Sequence, residues 1–260
     1  MIVSGMGATL RLVTQPDHAR LAAELLALWR LPKLVDHPRR AGLLVAVREH
    51  DNGWREADAA PRVDPASGAP CSFLDAPDEV RREVWRRGSR RYAASDPYVA
   101  LLITRHALEL LGDRRGEEAW QPLLAELDER HDELCERCEL AEVEVAADYR
   151  WLAVGDLLSL TACSGGPESR SRHEYRAQLV DATLHLAPFP LAGTTTFSIP
   201  CRRIPARRYR GDADLGGELA AARWQHFALR VAPFGQSRSN VTRSSTSSPD
   251  AASKRSDSGS

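Results

Sequence analysis

Apolar residues recur at every third or fourth position along much of the first 165 residues, a spacing that predicts amphipathic helices. The first helix is predicted over residues 15–29, where Leu21, Leu25 and Leu28 share a face and Thr14 precedes them as an N-cap. Further helices are predicted at about residues 38–50, 78–94, 97–111, 117–138 and 141–162. The larger part of the protein is therefore expected to be a helical bundle.

The hydrophobic period changes to two in a few short segments, which predict β-strands. Residues 9–14 form one such segment near the N-terminus. The others follow residue 180, at about residues 182–188, 195–200 and 226–232, and residues 214–224 have the pattern of a short helix. The predicted fold class is α+β, mainly α: a helical bundle with a small antiparallel sheet formed from the N-terminal strand and the C-terminal strands.

Two segments lack any such period. Residues 52–77 are rich in proline and glycine turn signals, and we interpret this long loop as a lid or one wall of a pocket. Residues 235–260 are rich in serine and arginine, which predicts a disordered tail. We expect a single globular domain over residues 1–234, with a helical core at 9–165 and a C-terminal sheet region at 180–233.

Composition and charge exclude several classes of partner. Hydrophobic residues make up 43% of the chain and charged residues 27%, and the net charge is -1, so no overall field attracts nucleic acid or a membrane surface. The N-terminal residues do not resemble a signal peptide, and no apolar run approaches the roughly 20 residues that span a bilayer. The five Cys residues form no disulfide-like framework, which indicates a cytoplasmic location. The oligomeric state stays open.

Five polar residues interrupt the apolar faces of predicted helices or their ends: His18, His50, Asp51, His106 and Asp156. A histidine on an apolar face is most often a satisfied core residue, so each histidine alone indicates little. A buried carboxylate costs several kcal/mol unless it is paired or binds a metal. Asp156 therefore needs a partner, which a metal ion or an arginine would provide.

The order of these residues resembles the metal-binding pattern of the HD-domain superfamily. His18, the adjacent pair His50-Asp51 and the distal Asp156 match its four ligand positions. The resemblance implies an HD-like helical bundle that binds a divalent metal, with one ion rather than two. It also implies hydrolysis of a phosphoester or nucleotide-like small molecule. We expect the four side chains to converge within a few ångströms.

The chain also resembles a bacterial family, domain of unknown function 3891 (DUF3891), over about residues 1–233. The matching stretches are Gln15-Pro-Asp-His-Ala-Arg-Leu-Ala, His50-Asp-Asn-Gly-Trp-Arg-Glu, Ala59-Ala-Pro-Arg, Asp96-Pro-Tyr, the histidine that follows Leu101-Leu-Ile-Thr-Arg, and Asp156-Leu-Leu-Ser-Leu. This second resemblance identifies a family without implying an activity.

Imidazole and carboxylate ligands suit Zn, Mn, Fe, Co or Ni better than an all-oxygen magnesium site. Asp51 is expected to orient the attacking water, and His106 is expected to protonate the leaving group or to add a ligand. Arg48, Arg55 and Arg62 flank the pair and could hold a phosphate. Trp54 could stack on the substrate. The alternatives are solvated arginines and a Trp54 that packs against the loop.

The sequence leaves three hypotheses. The first is a metal-dependent hydrolase of a phosphorylated small molecule, the second is a noncatalytic sensor that keeps the metal and pocket, and the third is a core with merely structural histidines. Cys135 and Cys138 have zinc-knuckle spacing, and His131 lies four residues before Cys135. Without a second such pair, they are most simply interpreted as part of a solvated helix. No glycine-rich phosphate loop or nucleophile-elbow motif is present.

Overall fold

The computed structural model describes residues 1–235, so the predicted tail lies outside the described residues except for Gly235. The helices are α1 (Gln15–Ala27), α2 (Pro32–Val35), α3 (Arg40–Glu49), α4 (Arg55–Ala59), α5 (Asp78–Arg90), α6 (Pro97–Leu110), α7 (Gln121–Cys138), α8 (Glu142–Ser164) and α9 (Asp212–Ala221). The strands are β1 (Ile2–Met6), β2 (Thr9–Val13), β3 (Arg170–Arg172), β4 (Tyr175–Val180), β5 (Thr183–Ala187), β6 (Thr195–Pro205) and β7 (Trp224–Pro233).

The predicted helices are confirmed, with ends that differ by a few residues. The Thr14 side chain accepts a hydrogen bond from the Asp17 N–H at 3.1 Å, and the Asp96 side chain accepts one from the Val99 N–H at 3.1 Å. Both residues are therefore N-caps of the helices that follow them. Helices α2 and α4 were not predicted, because four and five residues are too few to show a helical period.

The segment 52–77 is less irregular than predicted, since it begins with a 3-10 turn and α4. The Asn52 side chain donates a hydrogen bond to the Gly88 carbonyl at 3.3 Å, which fixes the turn after α3 to α5. A Cβ atom on Gly53 would lie 2.1 Å from the Val84 carbonyl oxygen. Only glycine permits this approach of one backbone to another.

The prediction of an HD-like helical bundle with a small antiparallel sheet is wrong. Within residues 1–235, seven strands form one mixed sheet in the order β1-β2-β6-β7-β5-β4-β3, curled into a half-barrel. Strands β5 and β7 run parallel, while β7 is antiparallel to β6. The sheet is a full structural layer, and α1 and α8 pack against it.

Two physical reasons explain the underestimated sheet. Strand β3 consists of three polar residues, so it shows no half-buried period of two. Strand β4 does alternate from Tyr175 to Leu179, but the alternation covers only five residues and the prediction did not assign it. Strand pairing also depends on contacts distant in sequence, and β7 inserts between β5 and β6. One part of the prediction is confirmed, because β2 near the N-terminus pairs with β6 of the C-terminal region.

The main hydrophobic core lies between the sheet and helices α1, α3, α6 and α8. Its fully buried members include Leu25, Leu102 and Leu229. A second cluster gathers Trp85 and Trp120 with side chains of α5, α6 and α7. Each such side chain stabilises the fold by roughly 1.5–3 kcal/mol. In the described part of the chain, no helix combines the length and the apolar character needed to cross a membrane.

A buried carboxylate on α8 holds the segment that leads into α3. Asp148 is 1% exposed and accepts hydrogen bonds from His37 Nε2 at 2.8 Å, Arg39 Nε at 2.7 Å and Tyr98 Oη at 2.8 Å. Three donors compensate the loss of water around a buried charge. The start of α3 is therefore fixed on α8 and α6, which keeps the far end of α3, at His50, in register.

The contact of Gly53 with α5 predicts a large loss of stability in Gly53→Ala. The added methyl group must displace the Val84 carbonyl, so we expect the free energy of unfolding to fall by about 1–3 kcal/mol. The matched control is Gly217→Ala, an exposed position in α9 with no atom within 4 Å of the added Cβ. This control should be neutral or stabilising by up to about 1 kcal/mol. Urea denaturation measures both, and equal midpoints for Gly53→Ala and the unmodified protein would contradict the packing described.

Candidate metal centre

The structure brings the five polar residues of the sequence analysis into one cluster, which we call the His/Asp centre: His18, His50, Asp51, His106 and Asp156. They come from α1, the end of α3, α6 and α8. The three histidines are at most 2% exposed and Asp51 is 5% exposed, whereas the Asp156 side chain is 15% exposed. The centre is therefore nearly closed, and Asp156 is its most exposed member.

Helix α8 reaches the centre because a glycine precedes Asp156. A Cβ atom on Gly155 would lie 3.1 Å from Leu26 Cδ1 and 3.2 Å from Val47 Cγ1. The absence of a side chain thus lets α8 cross close to α1 and α3 at this point. The crossing places the Asp156 carboxylate beside the histidines that these two helices carry.

The end of α3 determines the direction of the adjacent pair. His50 Nδ1 lies 2.7 Å from the Val47 carbonyl, which it caps one turn earlier. The helix ends there, and Asp51 follows with φ -104 and ψ 21, outside the helical region. The two neighbouring side chains can therefore both face the centre, although successive residues inside a helix point in different directions.

Short distances connect imidazoles and carboxylates within the centre. His18 Nε2 lies 2.7 Å from Asp51 Oδ2. His50 Nε2 lies 3.3 Å from Asp156 Oδ1 and 3.7 Å from Asp51 Oδ2. The His106 ring packs edge-to-face on the His50 ring, with centroids 4.9 Å apart. The predicted convergence of His18, His50, Asp51 and Asp156 is thus observed, although convergence alone does not establish a metal.

Each histidine of the centre has its Nδ1 atom engaged by an anchor outside it. Nδ1 of His18 lies 2.9 Å from Ser159 Oγ, and Nδ1 of His106 lies 3.2 Å from Tyr149 Oη; His50 has its backbone anchor. Anchors of this kind typically orient metal-binding histidines. Sequence reasoning assigned no role to Ser159 or Tyr149. Ser159 follows Asp156 by three residues and Tyr149 precedes it by seven, so all three lie on one face of α8. This spacing was the sequence signal that could have identified them.

The Nε2 atom of His50 has no hydrogen-bond partner among the described residues, although it is buried. Because Nδ1 donates its proton to Val47, the neutral ring would direct a lone pair toward two carboxylates. Burial alone lowers the pKa of His50, but Asp51 and Asp156 outweigh it and raise the pKa to about 9. The position therefore requires positive charge, supplied by a proton or by a metal ion.

The same burial and neighbouring charges shift the pKa values of the other groups in the centre. Burial opposes ionisation of Asp51 and Asp156, yet the neighbouring histidines, His50 foremost, hold the pKa of both carboxyl groups below the ordinary value. His106 behaves in the opposite way, because burial and the nearby His50 lower its pKa to about 4. At neutral pH the centre thus contains two carboxylates and a neutral His106.

These donors fit a divalent transition metal. His18, His50 and Asp156 each offer one ligand atom, and the three atoms lie within 4.8 Å of one another; the same holds for His50, Asp51 and His106. The two groups share His50, whose Nε2 is the unpartnered atom. Mixed nitrogen and oxygen donors suit Zn, Mn, Fe, Co or Ni. The two carboxylates would balance the charge of one such ion.

The predicted substrate-binding residues lie outside this cluster. Arg48 is exposed, and its Nε lies 3.9 Å from Glu49. The Arg55 guanidinium donates a hydrogen bond to the largely buried Glu49 at 2.5 Å. Trp54 is 3% exposed, and its ring lies 6.4 Å from that of Trp85, which in turn packs against His106. Trp54 is thus separated from the His/Asp centre by one aromatic ring.

A cavity of about 380 Å³ lies on the far side of Trp54. Phe73 and Val80 contribute to its mainly apolar lining, and the exposed side chain of Arg62 also borders it. Its size is within the range of small-molecule pockets. The segment 52–77 thus supplies one wall of a pocket, which is one of the two roles that we inferred for it from the sequence. The function of this pocket stays a prediction.

The raised pKa of His50 predicts a pH dependence for protein freed of metal by a chelator. The pKa in the fold, about 9, exceeds the ordinary value of 6.5. Protonation of His50 therefore stabilises the folded state by on the order of 3 kcal/mol. This contribution is fully present below pH 6.5 and is lost as the pH rises through about 9. Urea denaturation below pH 6.5, between pH 6.5 and about 9, and above about 9 measures the loss in the free energy of unfolding.

His50→Gln should abolish this decline above pH 6.5, whereas His226→Gln, at an exposed position in β7, should keep it. An identical alkaline decline in both variants would show that His50 is not its source.

Residues 1–206 match the family described as "Protein of unknown function (DUF3891)". The matched segment contains the whole His/Asp centre and ends before α9 and β7, short of the predicted extent to residue 233. Comparison with curated proteins and with solved structures gave no match. Because the match covers most of the chain, the protein belongs to the DUF3891 family.

Proposed function

We propose that this protein is a divalent-metal-dependent hydrolase of a phosphoester or nucleotide-like small molecule. The observation that carries the proposal is the unpartnered Nε2 of His50, which faces Asp51 and Asp156 in a buried centre. A lone pair and two carboxylates directed at one point are the arrangement that a cation stabilises. The ligand order resembles that of the HD-domain superfamily, while the seven-stranded sheet differs from the predicted fold.

His18, His50, Asp51 and Asp156 would hold the ion. A divalent ion in such a site makes water a nucleophile at neutral pH and offsets negative charge on phosphate oxygens. The chain contributes the fixed orientation of the ligands, through Ser159 for His18 and through the Val47 carbonyl for His50. It also contributes burial, which strengthens every electrostatic interaction in the centre.

His106 is neutral in the centre and acts best as a hydrogen-bond acceptor. Burial and His50 lower its pKa to about 4, so the ring is neutral at pH 7. When Nδ1 carries the proton and donates it to Tyr149 Oη, Nε2 has no proton to donate. Its Nε2 can accept a hydrogen bond from the attacking water and orient it. The prediction that His106 protonates the leaving group does not fit this neutral ring.

One observation favours the alternative, a noncatalytic metal-containing sensor. The histidines and Asp51 are almost fully buried and the Asp156 side chain is 15% exposed, so little of the centre is open to a substrate. A sensor requires no such access at the ion itself. The pocket beyond Trp54 would then bind the signalling molecule, and the ring of Trp85 would connect it with His106.

Metal analysis tests the centre itself. Protein purified without chelator should contain one equivalent of transition metal in the His/Asp centre. The variant His50→Ala/Asp51→Ala should hold one equivalent less and should melt at a lower temperature, because it loses two ligands and leaves Asp156 without its partner. His226→Ala is the control and should keep both properties. A double variant with the metal content and melting temperature of the unmodified protein would rule out the centre as a metal site.

Turnover separates the hydrolase from the sensor. Metal-loaded protein with Mn or Co should hydrolyse phosphomonoesters, cyclic dinucleotides or nucleoside triphosphates. His106→Ala should lower kcat by about 10²–10⁴-fold at unchanged metal content. The control His226→Ala should retain the full rate. Fully loaded protein that turns over no compound of these classes would favour the sensor.

A further inference from the structure

The structure groups three possible metal ligands at a second place, where the last two turns of α7 meet the start of α8: the buried His131, the half-buried Cys135 and the exposed Glu142. Their ligand atoms all lie within 4.8 Å of one another. We propose that these residues form a second transition-metal site, specific for a thiophilic ion such as Zn²⁺, and that the ion cross-links the two helices. We name it the α7/α8 site.

Two of the ligands are positioned by one helix. His131 and Cys135 are four residues apart on α7, so their side chains lie on the same face of the helix. Cys135 Sγ lies 3.8 Å from His131 Nδ1 and 3.9 Å from His131 Nε2. These nearly equal separations show that the sulfur contacts the imidazole ring. An ion held at roughly 2.0–2.3 Å by both residues requires the ring to turn one nitrogen toward the position that it shares with Sγ. A pair of ligands four residues apart on a helix is a recurrent way of holding zinc.

The third ligand comes from the start of α8. Helix α7 ends at Cys138, Glu139 adopts a left-handed conformation with φ 54, and α8 begins at Glu142. This tight reversal directs the Glu142 carboxylate back onto the preceding helix. Its Oε2 atom lies 3.6 Å from His131 Nε2.

Arg105 of α6 orients this carboxylate without occupying both of its oxygens. The guanidinium pairs with Glu142 Oε1 and also donates a hydrogen bond to Glu109 at 2.7 Å. Oxygen Oε2 of Glu142 therefore stays turned toward His131. A hydrogen-bonded carboxylate whose second oxygen is free is a typical metal ligand.

The chemistry of the three donors selects the ion. A thiolate and an imidazole favour Zn, Co or Cu over Mg or Ca, and the carboxylate completes a three-ligand set with one position left for water. A shallow surface cavity lined by Arg105, His131 and Glu142 gives an ion a path to the site. The cysteine also distinguishes this site from the His/Asp centre, which contains no sulfur ligand.

Cobalt substitution tests the proposal on the full chain. A cysteine thiolate bound to Co²⁺ produces a charge-transfer absorption in the near ultraviolet, which nitrogen and oxygen ligands alone do not produce. Protein freed of metal and titrated with Co²⁺ should develop this absorption with a stoichiometry of one. Cys135→Ser and His131→Ala should abolish it, and each should bind one equivalent of Co²⁺ less than the unmodified protein.

Cys138→Ser is the matched control. Cys138 lies on the same helix, but it packs partly against the main core and belongs to no ligand group among the described residues. Its variant should keep the full absorption, and so should His50→Ala/Asp51→Ala, in which only the His/Asp centre is removed. Zn²⁺ should also raise the melting temperature of this double variant, because the ion connects α7 with α8.

Two results would overturn the proposal. The first is the absence of any thiolate absorption at saturating Co²⁺ in the unmodified protein. The second is an absorption that survives Cys135→Ser or disappears in Cys138→Ser, since a different cysteine would then bind the ion. Because the readout depends on sulfur, neither result bears on the His/Asp centre.

Discussion

Two carboxylates and the lone pair of a buried imidazole converge in the interior of this protein, and the arrangement requires positive charge. Asp51 and Asp156 lie 3.7 and 3.3 Å from His50 Nε2, an atom with no hydrogen-bond partner in the described chain. A proton meets the requirement in the metal-free state and raises the pKa of His50 to about 9. A divalent ion would meet it without protonating a ligand.

Much of the surrounding structure keeps these groups in place. Gly155 lets α8 approach α1 and α3, Gly53 lets the turn after α3 pack on α5, and Asp148 fixes the start of α3. None of these residues contacts the ion that we propose. Each one instead determines where a helix that carries a ligand begins, ends or crosses another. The centre therefore depends on close backbone packing as much as on its ligands.

The two proposed metal sites differ in the chemistry that their surroundings allow. The His/Asp centre is buried and combines imidazoles with carboxylates, which suits an ion that polarises a substrate or maintains a ligand-sensing core. The α7/α8 site is at the surface, includes the sulfur of Cys135 and joins two consecutive helices. Its composition suits a structural ion. The two sites share no residue, so each can be occupied independently of the other.

The sequence by itself determined the long helices, the N-caps Thr14 and Asp96, and the five polar residues that interrupt apolar faces. These features are local, because a helical period and a cap involve residues only a few positions apart. The tertiary structure alone decided the seven-stranded sheet, the anchors Ser159 and Tyr149, and the joining of Glu142 to His131 and Cys135. Strand partners and helix crossings depend on contacts between distant segments, which local patterns do not encode.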